Sequence, residues 1–492
     1  MMHGPEKSDS SIVAKKSANK SGQPEAESME RREGTEENAG ELPMGRTLSR
    51  ETMIGGLERV RQAARGNKKM RFTALLHHID VAALWMAYDR LKRNAAPGVD
   101  GVTWETYGEN LIPNLTDLHE RIHRGSYHPK PSRRRYIDKA DGRKRPLGIA
   151  ALEDKIVQGA VVEVLNAIYE EDFLGFSYGF RPGRGPHDAL DALAVGITQR
   201  KVNFVLDADI AAFFDAMRHD WLERFLQHRI GDRRLLRLIS KWLKAGVLED
   251  GEWLATEVGS PQGAVVSPVL ANIYLHYAFD LWAHRERQQP GYGEIIFVRY
   301  ADDIVAGFQH EGVAKRFLAE LQLRMEKFGL SLHPTKTRLI EFGRYAAERR
   351  ATRGEGKPET FQFLGFTHIA GKDRQGRFQL IRKTRRDRVR AKLRAIKGEL
   401  RARMHDPIPE QGKWLRQVVR GYFAYFAVPT NLPSLSGFRH HVKRLWQKTL
   451  RRRSQKDRFS WDRLDRVAED FLPVPRILHP WPEARFAVNH PR

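Results

Sequence analysis

Residues 295–308 read IIFVRYADDIVAGF, two short apolar runs with Ala301, Asp302 and Asp303 between them. Apolar runs of this length around a polar break are typical of two antiparallel strands joined by a tight turn. Adjacent carboxylates at such a turn are destabilising, because like charges repel and the flanking strands exclude water. A cation is therefore expected beside the turn, and hard oxygen ligands with no His or Cys nearby favour Mg²⁺ over zinc.

A second stretch, NFVLDAD at residues 203–209, is also typical of a strand that ends in an acid, and a helical pattern follows it. Asp209 would complete a carboxylate cluster with the two acids of the turn if both strands are neighbours in one sheet. An isolated Asp-Asp pair more often only caps a turn, and the residues alone leave that alternative open. Further along, Ser267 and Pro268 fit the N-cap and the first position of a helix. The middle of the chain therefore predicts an α+β fold that mixes antiparallel strands and helices.

Composition limits the class of protein. The chain has 492 residues, enough for about three domains. The absence of cysteine excludes disulfide frameworks, thiol catalysis and zinc sites built on Cys pairs. The net charge of +24 indicates a polyanionic partner. No apolar run approaches the ~18 residues of a membrane-spanning helix and the N-terminus lacks the apolar stretch of a secretory signal, so we expect a soluble, cytoplasmic protein.

The positive charge is concentrated in one region. Residues 1–50 carry 8 basic against 9 acidic residues with little aliphatic content, which predicts a disordered tail. Residues 381–460 carry 23 basic against 5 acidic residues. Apolar residues at helical spacing predict a helix over 384–404, and two more helical stretches surround Trp414 and Phe438. Basic helices often present only a solvated face, but the uniform sign and the interleaved aromatics favour a nucleic-acid-binding module.

The order of motifs resembles one known family. YADD at residues 300–303 resembles the catalytic turn of reverse transcriptases, and its neighbours follow the block order of group II intron reverse transcriptases and maturases. The similar blocks are APGVDG at 96–101, RPLGI at 145–149, FSYGFRPGRGPHDAL at 176–190, VLDADIAAFFD at 205–215, GSPQGAVVSPVLANIYL at 259–275, LHPTKT at 332–337, FLGF at 363–366, GYFAYFAVP at 421–429 and FRHHVKRLW at 438–446. The resemblance runs from about residue 50 to the end of the sequence.

The resemblance implies a right-hand polymerase, with α+β fingers, a palm built on an antiparallel sheet, and an α-helical thumb. The boundaries expected from it are a disordered N-terminal tail at 1–50, an N-terminal extension with fingers at 51–200, the palm with the catalytic acids at 201–375, the helical thumb or maturase domain at 376–456, and a short C-terminal nucleic-acid-binding arm at 457–492.

The resemblance also implies an activity. An RNA-directed DNA polymerase, a nucleotidyltransferase, joins a primer 3′-hydroxyl to the α-phosphate of an incoming nucleotide, and two Mg²⁺ ions activate the nucleophile and neutralise the developing charge. Register to the family assigns both ions to Asp209, Asp302 and Asp303. Asp207 and Asp215 are then interpreted as surface or capping acids.

Further roles are carried over position by position. Lys139 and Arg145 match the residues that grip the triphosphate, and Gln262 matches the residue that contacts the nucleotide sugar. Phe214 matches the aromatic residue that excludes a ribose 2′-hydroxyl by collision, although a plain core role stays open because Phe213 lies beside it. The residues expected to touch nucleic acid are Arg181, Arg184, Lys336 and Arg444.

Asp138 and Ala150 stand where the family usually has proline, which makes the Lys139 and Arg145 assignments weaker than the metal assignments.

The implied partners are a group II intron RNA, a DNA target and primer, and deoxynucleotides, with no membrane and with nucleoid association when the protein is on DNA. In this reading the protein assists splicing as a maturase and copies the intron during mobility. The alternatives are a reverse transcriptase of a defence or other non-intron system, and a splicing-only RNA-binding maturase.

Only some 36 cysteine-free residues follow the basic helices, so an endonuclease-lacking type is expected, with insertion primed by an existing DNA 3′ end.

Overall fold

The computed structural model describes residues 44–138, 144–249, 252–255, 258–259, 263–453 and 460–489. They form two compact units. The N-terminal unit contains the described residues up to 196 together with 201–340, and the C-terminal unit contains 197–200 together with those from 341 onward. The tail expected to be disordered lies outside the described residues as far as residue 43, whereas residues 44–50 belong to the first helix.

The first part of the N-terminal unit is mainly helical. Its elements are α1 (Met44–Gly66), a short 3₁₀ turn (Leu76–His78), α2 (Val81–Asp89), α3 (Trp104–Gly108), α4 (Leu111–Arg124), β1 (Ser132–Asp138), β2 (Lys144–Ile149), α5 (Leu152–Tyr169) and α6 (Pro186–Gln199). Strands β1 and β2 pair antiparallel, with Ile137 opposite Arg145. The buried side chains of α5 are mostly Ile, Val, Leu and Ala, and they lie in the core of this region.

The remaining elements of this unit alternate between strands and helices. They are β3 (Phe204–Asp209), α7 (Phe213–Ala216), α8 (His219–Gln227), α9 (Arg233–Leu243), β4 (Val247–Glu249), β5 (Glu252–Leu254), α10 (Ser267–Leu275), a π-helical turn (His276–Asp280), α11 (Leu281–Glu286), β6 (Ile295–Tyr300), β7 (Asp303–Phe308), α12 (Glu311–Lys327) and β8 (Arg338–Glu341). Two four-stranded sheets result, one in the order β2-β1-β4-β5 and one in the order β6-β7-β3-β8.

The sheet β6-β7-β3-β8 confirms two expectations from the sequence. The hairpin expected over 295–308 is formed by β6 and β7, and the strand expected over 203–209 is β3. Strand β7 pairs antiparallel with both neighbours, so β3 and the hairpin are adjacent in one sheet. The α+β fold class is therefore confirmed. The other four-stranded sheet is mixed, because β1 pairs antiparallel with β2 and parallel with β4.

Helix α10 differs in one detail from the sequence expectation. It begins at Ser267 itself, with Val266 in the N-cap position and Pro268 in the first turn. The expected N-cap at Ser267 is therefore wrong by one residue. Proline is accepted throughout the first turn, where backbone N–H groups have no partner within the helix, so it does not fix the start to a single residue.

The C-terminal unit combines a small sheet with a helical bundle. Its elements are α13 (Ala346–Thr352), β9 (Phe361–Phe363), β10 (Phe366–Lys372), β11 (Phe378–Thr384), α14 (Arg386–Ala402), α15 (Ile408–Phe426), α16 (Leu432–Leu450), α17 (Trp461–Phe471) and α18 (Pro482–Asn489). The three strands pair antiparallel in the order β11-β10-β9. Helix α14 confirms the helix expected over 384–404, and α15 and α16 confirm the two stretches that follow.

The residues after 460 pack on this bundle. Leu464 and Ala468 of α17 join the core that α14, α15 and α16 share. Beyond α17, the backbone N–H groups of Leu478 and His479 donate to the carbonyl of Ala427 at the end of α15. The segment expected as a short arm at 457–492 thus contains a helix with its own apolar face and packs on the bundle. Its contact with nucleic acid stays a prediction. In the part of the chain that the structure describes, no helix is long and apolar enough to cross a membrane.

Candidate active site

Three carboxylates meet at one end of the sheet β6-β7-β3-β8. Asp209, the last residue of β3, lies directly opposite Asp303, the first residue of β7. Residues opposed in this way have Cβ atoms about 4.5–5.5 Å apart. Tyr300 and Asp303 close the hairpin, so Asp302 lies in its two-residue loop. The structure thus brings together the three acids assigned to metal binding, and their catalytic role stays a prediction.

The acids of the cluster affect one another electrostatically. Desolvation of its carboxyl group, followed by the charges of Asp302, Asp209 and Asp207, raises the pKa of Asp303 to about 7, although the residue as a whole is exposed. A carboxyl group with so high a pKa is one whose ionised form lacks enough positive charge nearby. The site therefore favours a bound cation.

One cation of the chain already lies at the cluster. The Nζ of Lys336, in the segment between α12 and β8, is 2.8 Å from Oδ2 of Asp209. Backbone bonds hold this segment on the end of β3, because His333 N donates to the carbonyl of Asp209 at 2.7 Å and Ala211 N donates to that of Ser331 at 2.8 Å. Lys336 thus compensates the charge of Asp209, and its expected contact with template or primer stays a prediction.

The donor set fits Mg²⁺. Among the described residues, no group of three or more His, Asp or Glu side chains is already arranged around one point as a metal site. The available donors are nevertheless carboxylate oxygens, the hard ligands that Mg²⁺ prefers. Lys336 supplies part of the positive charge that the cluster needs, so an ion bound by Asp209 has to compete with it.

Lys336→Met should therefore strengthen metal binding. An ion pair as exposed as this one contributes about 0.5–1 kcal/mol, which corresponds to about a two- to fivefold gain in Mg²⁺ affinity when the competing ammonium is removed. Titration of Mg²⁺ against the melting temperature of the protein without nucleic acid measures this affinity.

Lys130→Met is the matched control for that titration. Lys130 pairs with Asp100 at 3.2 Å, and its side chain is 51% exposed against 52% for Lys336. Asp100 lies far along the chain from the three acids, so Mg²⁺ affinity should stay unchanged in this variant. Equal affinities in both variants would contradict the proposed competition at Asp209.

Asp207 and Asp215, which were interpreted from the sequence as surface or capping acids, have different surroundings in the structure. Asp215 in α7 is exposed. Asp207 lies two residues before Asp209 in β3, which places it on the same face of the sheet, opposite Val305. Its charge contributes to the raised pKa of Asp303. Asp207 therefore belongs to the electrostatics of the cluster, and the period of two along the strand was the signal that could have identified it.

The two adjacent phenylalanines after β3 are clearly distinguished. Phe213 is 3% exposed and lies in the core, whereas Phe214 is half-buried. Ala212 at φ 46° starts the short helix α7 that carries both rings. Gly259 packs on this helix, because a Cβ there would lie 2.8 Å from the carbonyl oxygen of Phe214. Phe214 is thus the ring with an accessible face beside the strand that ends in Asp209.

The part of the chain that contains the three acids is similar to known proteins. Residues 137–368, which contain all three acids, match the family described as reverse transcriptase (RNA-dependent DNA polymerase). Protein YkfC of Escherichia coli is 40% identical over 198 residues, which are 40% of this chain and 51% of that protein. Group II intron-encoded protein LtrA of Lactococcus lactis is 35% identical over 242 residues, 48% of this chain and 40% of that protein.

A third relative is Nuclear intron maturase 3, mitochondrial, of Arabidopsis thaliana, 25% identical over 224 residues, which are 39% of this chain and 30% of that protein. Over this region the chain is similar to group II intron reverse transcriptases and maturases. The matched region spans about half or less of the length of these relatives, and it holds the reverse transcriptase motifs.

Within this reverse transcriptase region, the loop expected to contact the nucleotide sugar is anchored at both ends. Gln262 itself lies outside the described residues. Before it, Gly259 N donates to the carbonyl of Met217 at 2.8 Å. After it, Gly263 has φ 106°, and a Cβ there would lie 2.8 Å from the carbonyl of Gly148 in β2. Close backbone approach at positive φ explains the glycine.

A residue that the sequence did not indicate supports the same loop. Gln158 of α5 is buried, and its Oε1 accepts a hydrogen bond from Val265 N at 2.9 Å. Helix α5 and strand β2 therefore locate the segment that leads into α10. Lys139 lies outside the described residues, as does the side chain of Arg145, so both triphosphate assignments stay predictions.

The arginines expected to bind nucleic acid have different environments. Arg181 is buried, and its guanidinium binds Glu170 at 2.8 Å and the carbonyls of Leu174 and Ser177. It has a structural role here, in bracing the turn after α5. Arg184 is half-buried with Nη1 2.8 Å from the carbonyl of Gly175, and Arg444 is exposed on α16. Nucleic-acid contact stays a prediction for all of them.

Proposed function

We propose that the protein is an RNA-directed DNA polymerase. The observation that carries the proposal is the direct opposition of Asp209 and Asp303 across β3 and β7, with Asp302 in the adjoining loop, inside the region that matches reverse transcriptases. In this proposal the sheet β6-β7-β3-β8 is the palm, the sheet β2-β1-β4-β5 with its helices is the fingers, and helices α14 to α17 are the thumb.

Asp209, Asp302 and Asp303 would hold two Mg²⁺ ions. When bound, such ions lower the pKa of an attacking hydroxyl and neutralise charge on the phosphates. The chain's own contribution is to fix the three carboxylates on the ends of two paired strands and to present Phe214 beside them. Lys139 and Arg145 would bind the triphosphate, and Gln262 the sugar.

We further propose that its RNA partner is a group II intron, which it helps to splice as a maturase and copies into DNA during mobility. The relatives support this partner, since one is named a group II intron-encoded protein and another an intron maturase. The composition supports an RNA partner, since residues 381–460 carry 23 basic against 5 acidic residues. Arg444 is one of the exposed basic residues on α16.

Arg444→Ala should weaken binding of intron RNA and reduce the slope of log affinity against log salt by about 1, because one phosphate contact releases about one counterion. Filter binding at several salt concentrations measures both quantities. Arg374→Ala is the control, since this exposed arginine lies in the turn between β10 and β11. An unchanged salt slope for Arg444→Ala, or the same loss of RNA affinity in both variants, would contradict a phosphate contact at α16.

The test of the proposed function has two arms. The first is extension of a DNA primer on an RNA template, and the second is splicing of a precursor RNA built from the intron that surrounds the coding region. Activity in both arms is expected. Synthesis without preference for an intron RNA is the result expected of a reverse transcriptase from a non-intron system, and binding without synthesis is that of a splicing-only maturase.

A further inference from the structure

A fully buried ion pair lies directly beneath the turn that carries Asp302. Arg299, the second-to-last residue of β6, and Asp280, the last residue of the π-helical turn, both have side chains with 0% exposure. Arg299 Nε donates to Oδ1 of Asp280 at 2.7 Å and Nη2 donates to Oδ2 at 2.6 Å. The pair is therefore bidentate, which fixes the plane of the guanidinium as well as its position.

The other donors of Arg299 bind three separate parts of the unit. Nη1 donates to the carbonyl of Ala301 in the turn and to Oδ1 of Asn272 in α10, both at 3.0 Å. Nη2 also donates to Oγ of Ser177, at 2.7 Å. One guanidinium thus connects the turn, α10, the π-helical turn and the segment after α5.

The segment after α5 holds the same turn from its other side. Tyr178 N donates to the carbonyl of Arg299 at 2.9 Å, and Arg299 N donates to that of Phe176 at 2.8 Å. Gly179 packs so closely on the turn that a Cβ would collide with Ala301 N. Its carbonyl accepts a hydrogen bond from Nδ2 of Asn272 at 2.8 Å.

The conformation of the turn requires such support. Ala301 has φ 55°, the left-handed region, which is unfavourable by roughly 1–2 kcal/mol for a residue with a Cβ. The π-helical turn His276–Asp280 adds one residue to the helix, which rotates Asp280 by about 100° from its place in an uninterrupted α-helix. The local geometry of two elements is therefore unusual where they meet Arg299.

We propose that Arg299 is a positioning residue for metal binding, which acts through the carbonyl of Ala301 to hold Asp302 and Asp303 in the conformation that receives the ions. This inference rests on the proposed polymerase function. A buried ion pair is seldom more stabilising than apolar residues of similar volume, so stability alone does not account for its presence. Its five directed donors instead fix the geometry of the turn.

The test replaces the pair by apolar residues of similar volume, Arg299→Met with Asp280→Leu, because either change alone leaves a buried charge unpaired. The Mg²⁺ concentration for half-maximal cDNA synthesis should rise at least about tenfold and kcat should fall. KM for the deoxynucleotide should change less than about threefold. Among the described residues, the side-chain partners of Arg299 lie in the turn, α10, the π-helical turn and the segment after α5.

Metal binding is also measured without synthesis. Free Mn²⁺ is followed by its electron paramagnetic resonance signal, and the ions lost on changing Asp302 and Asp303 to Asn define the site. The double variant at Arg299 and Asp280 should lose most of the same binding. Because this readout needs no polymerase activity, failure of the wild-type protein to synthesise cDNA would reject the proposed function and leave the inference testable.

Arg229→Met with Asp172→Leu is the matched control. This pair has a 3.2 Å contact and side chains 2% and 10% exposed, and Arg229 binds the carbonyl of Asn67, away from the turn. Its replacement should lower the melting temperature by a similar amount and leave Mn²⁺ binding unchanged.

Ser177→Ala is a milder variant of the proposed network, which removes the one hydrogen bond that Arg299 donates to the uncharged hydroxyl of Ser177. It should raise the half-saturating Mg²⁺ concentration about two- to threefold, in keeping with the loss of one hydrogen bond. Should the double variant not fold, this variant decides the matter. The inference would be overturned if the double variant at Arg299 and Asp280 had the same metal dependence as the control pair. If only Ser177→Ala folds, an unchanged metal dependence in that variant would overturn it.

Discussion

Changing Asp302 and Asp303 together to Asn is expected to abolish Mg²⁺-dependent cDNA synthesis while RNA binding survives. Asn keeps the size of each side chain and removes the negative ligand. Metal ions contribute several kcal/mol to reactions of this kind, and each 1.36 kcal/mol is tenfold in rate, so a loss of at least about 10³-fold is expected. Primer extension and RNA binding, measured on the same preparation, check both halves of the prediction.

Asp215→Asn is the control for that experiment. Asp215 is an exposed acid in α7, close in sequence to Asp209 but not in the row of β3 that faces Asp303. Its replacement should leave extension close to the wild-type rate. Normal primer extension by the variant with both Asp302 and Asp303 changed would contradict the assignment of these residues to metal binding.

Phe214→Ala should admit ribonucleotides. The half-buried ring of Phe214 is the accessible aromatic group next to β3, and removing it opens the space that a 2′-hydroxyl would need. Discrimination by steric exclusion of a small group is worth about 1–3 kcal/mol, so the preference for deoxynucleotides should fall by about 10- to 200-fold. Competing incorporation of a matched dNTP and rNTP, opposite one template base, measures the ratio.

Phe213 provides the internal comparison for the sugar gate. It is buried in the core, so Phe213→Ala should cost about 3–5 kcal/mol of stability and leave the ratio unchanged. An unchanged ratio for Phe214→Ala, together with a changed one for Phe213→Ala, would place the gate one residue earlier.

The hairpin and the strand of the site were predictable because their signals are local. The apolar runs around Ala301 and Asp302, and the run before Asp209, are continuous in sequence, and short apolar runs bounded by polar residues fix strands well. Their adjacency in one sheet was not local, and the sequence supported it only through the order of motifs. The structure supplies the register that places Asp209 opposite Asp303.

The supporting residues were not predictable from the same signals. Arg299 binds Asp280, Asn272 and Ser177, which lie 19, 27 and 122 residues away along the chain. A lone arginine in a strand gives no sign of such partners. Arg181 is a second example. A basic residue in a glycine-rich loop suggests a surface charge, whereas the guanidinium of Arg181 is buried and binds Glu170 and two backbone carbonyls.

The C-terminal segment shows a similar limit. The sequence indicated only a short arm at 457–492, and the bonds from Leu478 and His479 to Ala427 show where it packs on the bundle. Such backbone contacts depend on the tertiary arrangement of α15 and leave no pattern in the segment's own sequence.

The central claim is tested most directly by extension of a DNA primer annealed to an RNA template, with the purified full chain, Mg²⁺ and all four dNTPs. The account predicts cDNA that reaches the template's 5′ end and disappears when Mg²⁺ is chelated. The result that would contradict it is tight binding of the primer–template with no extension of the primer at any Mg²⁺ concentration tested.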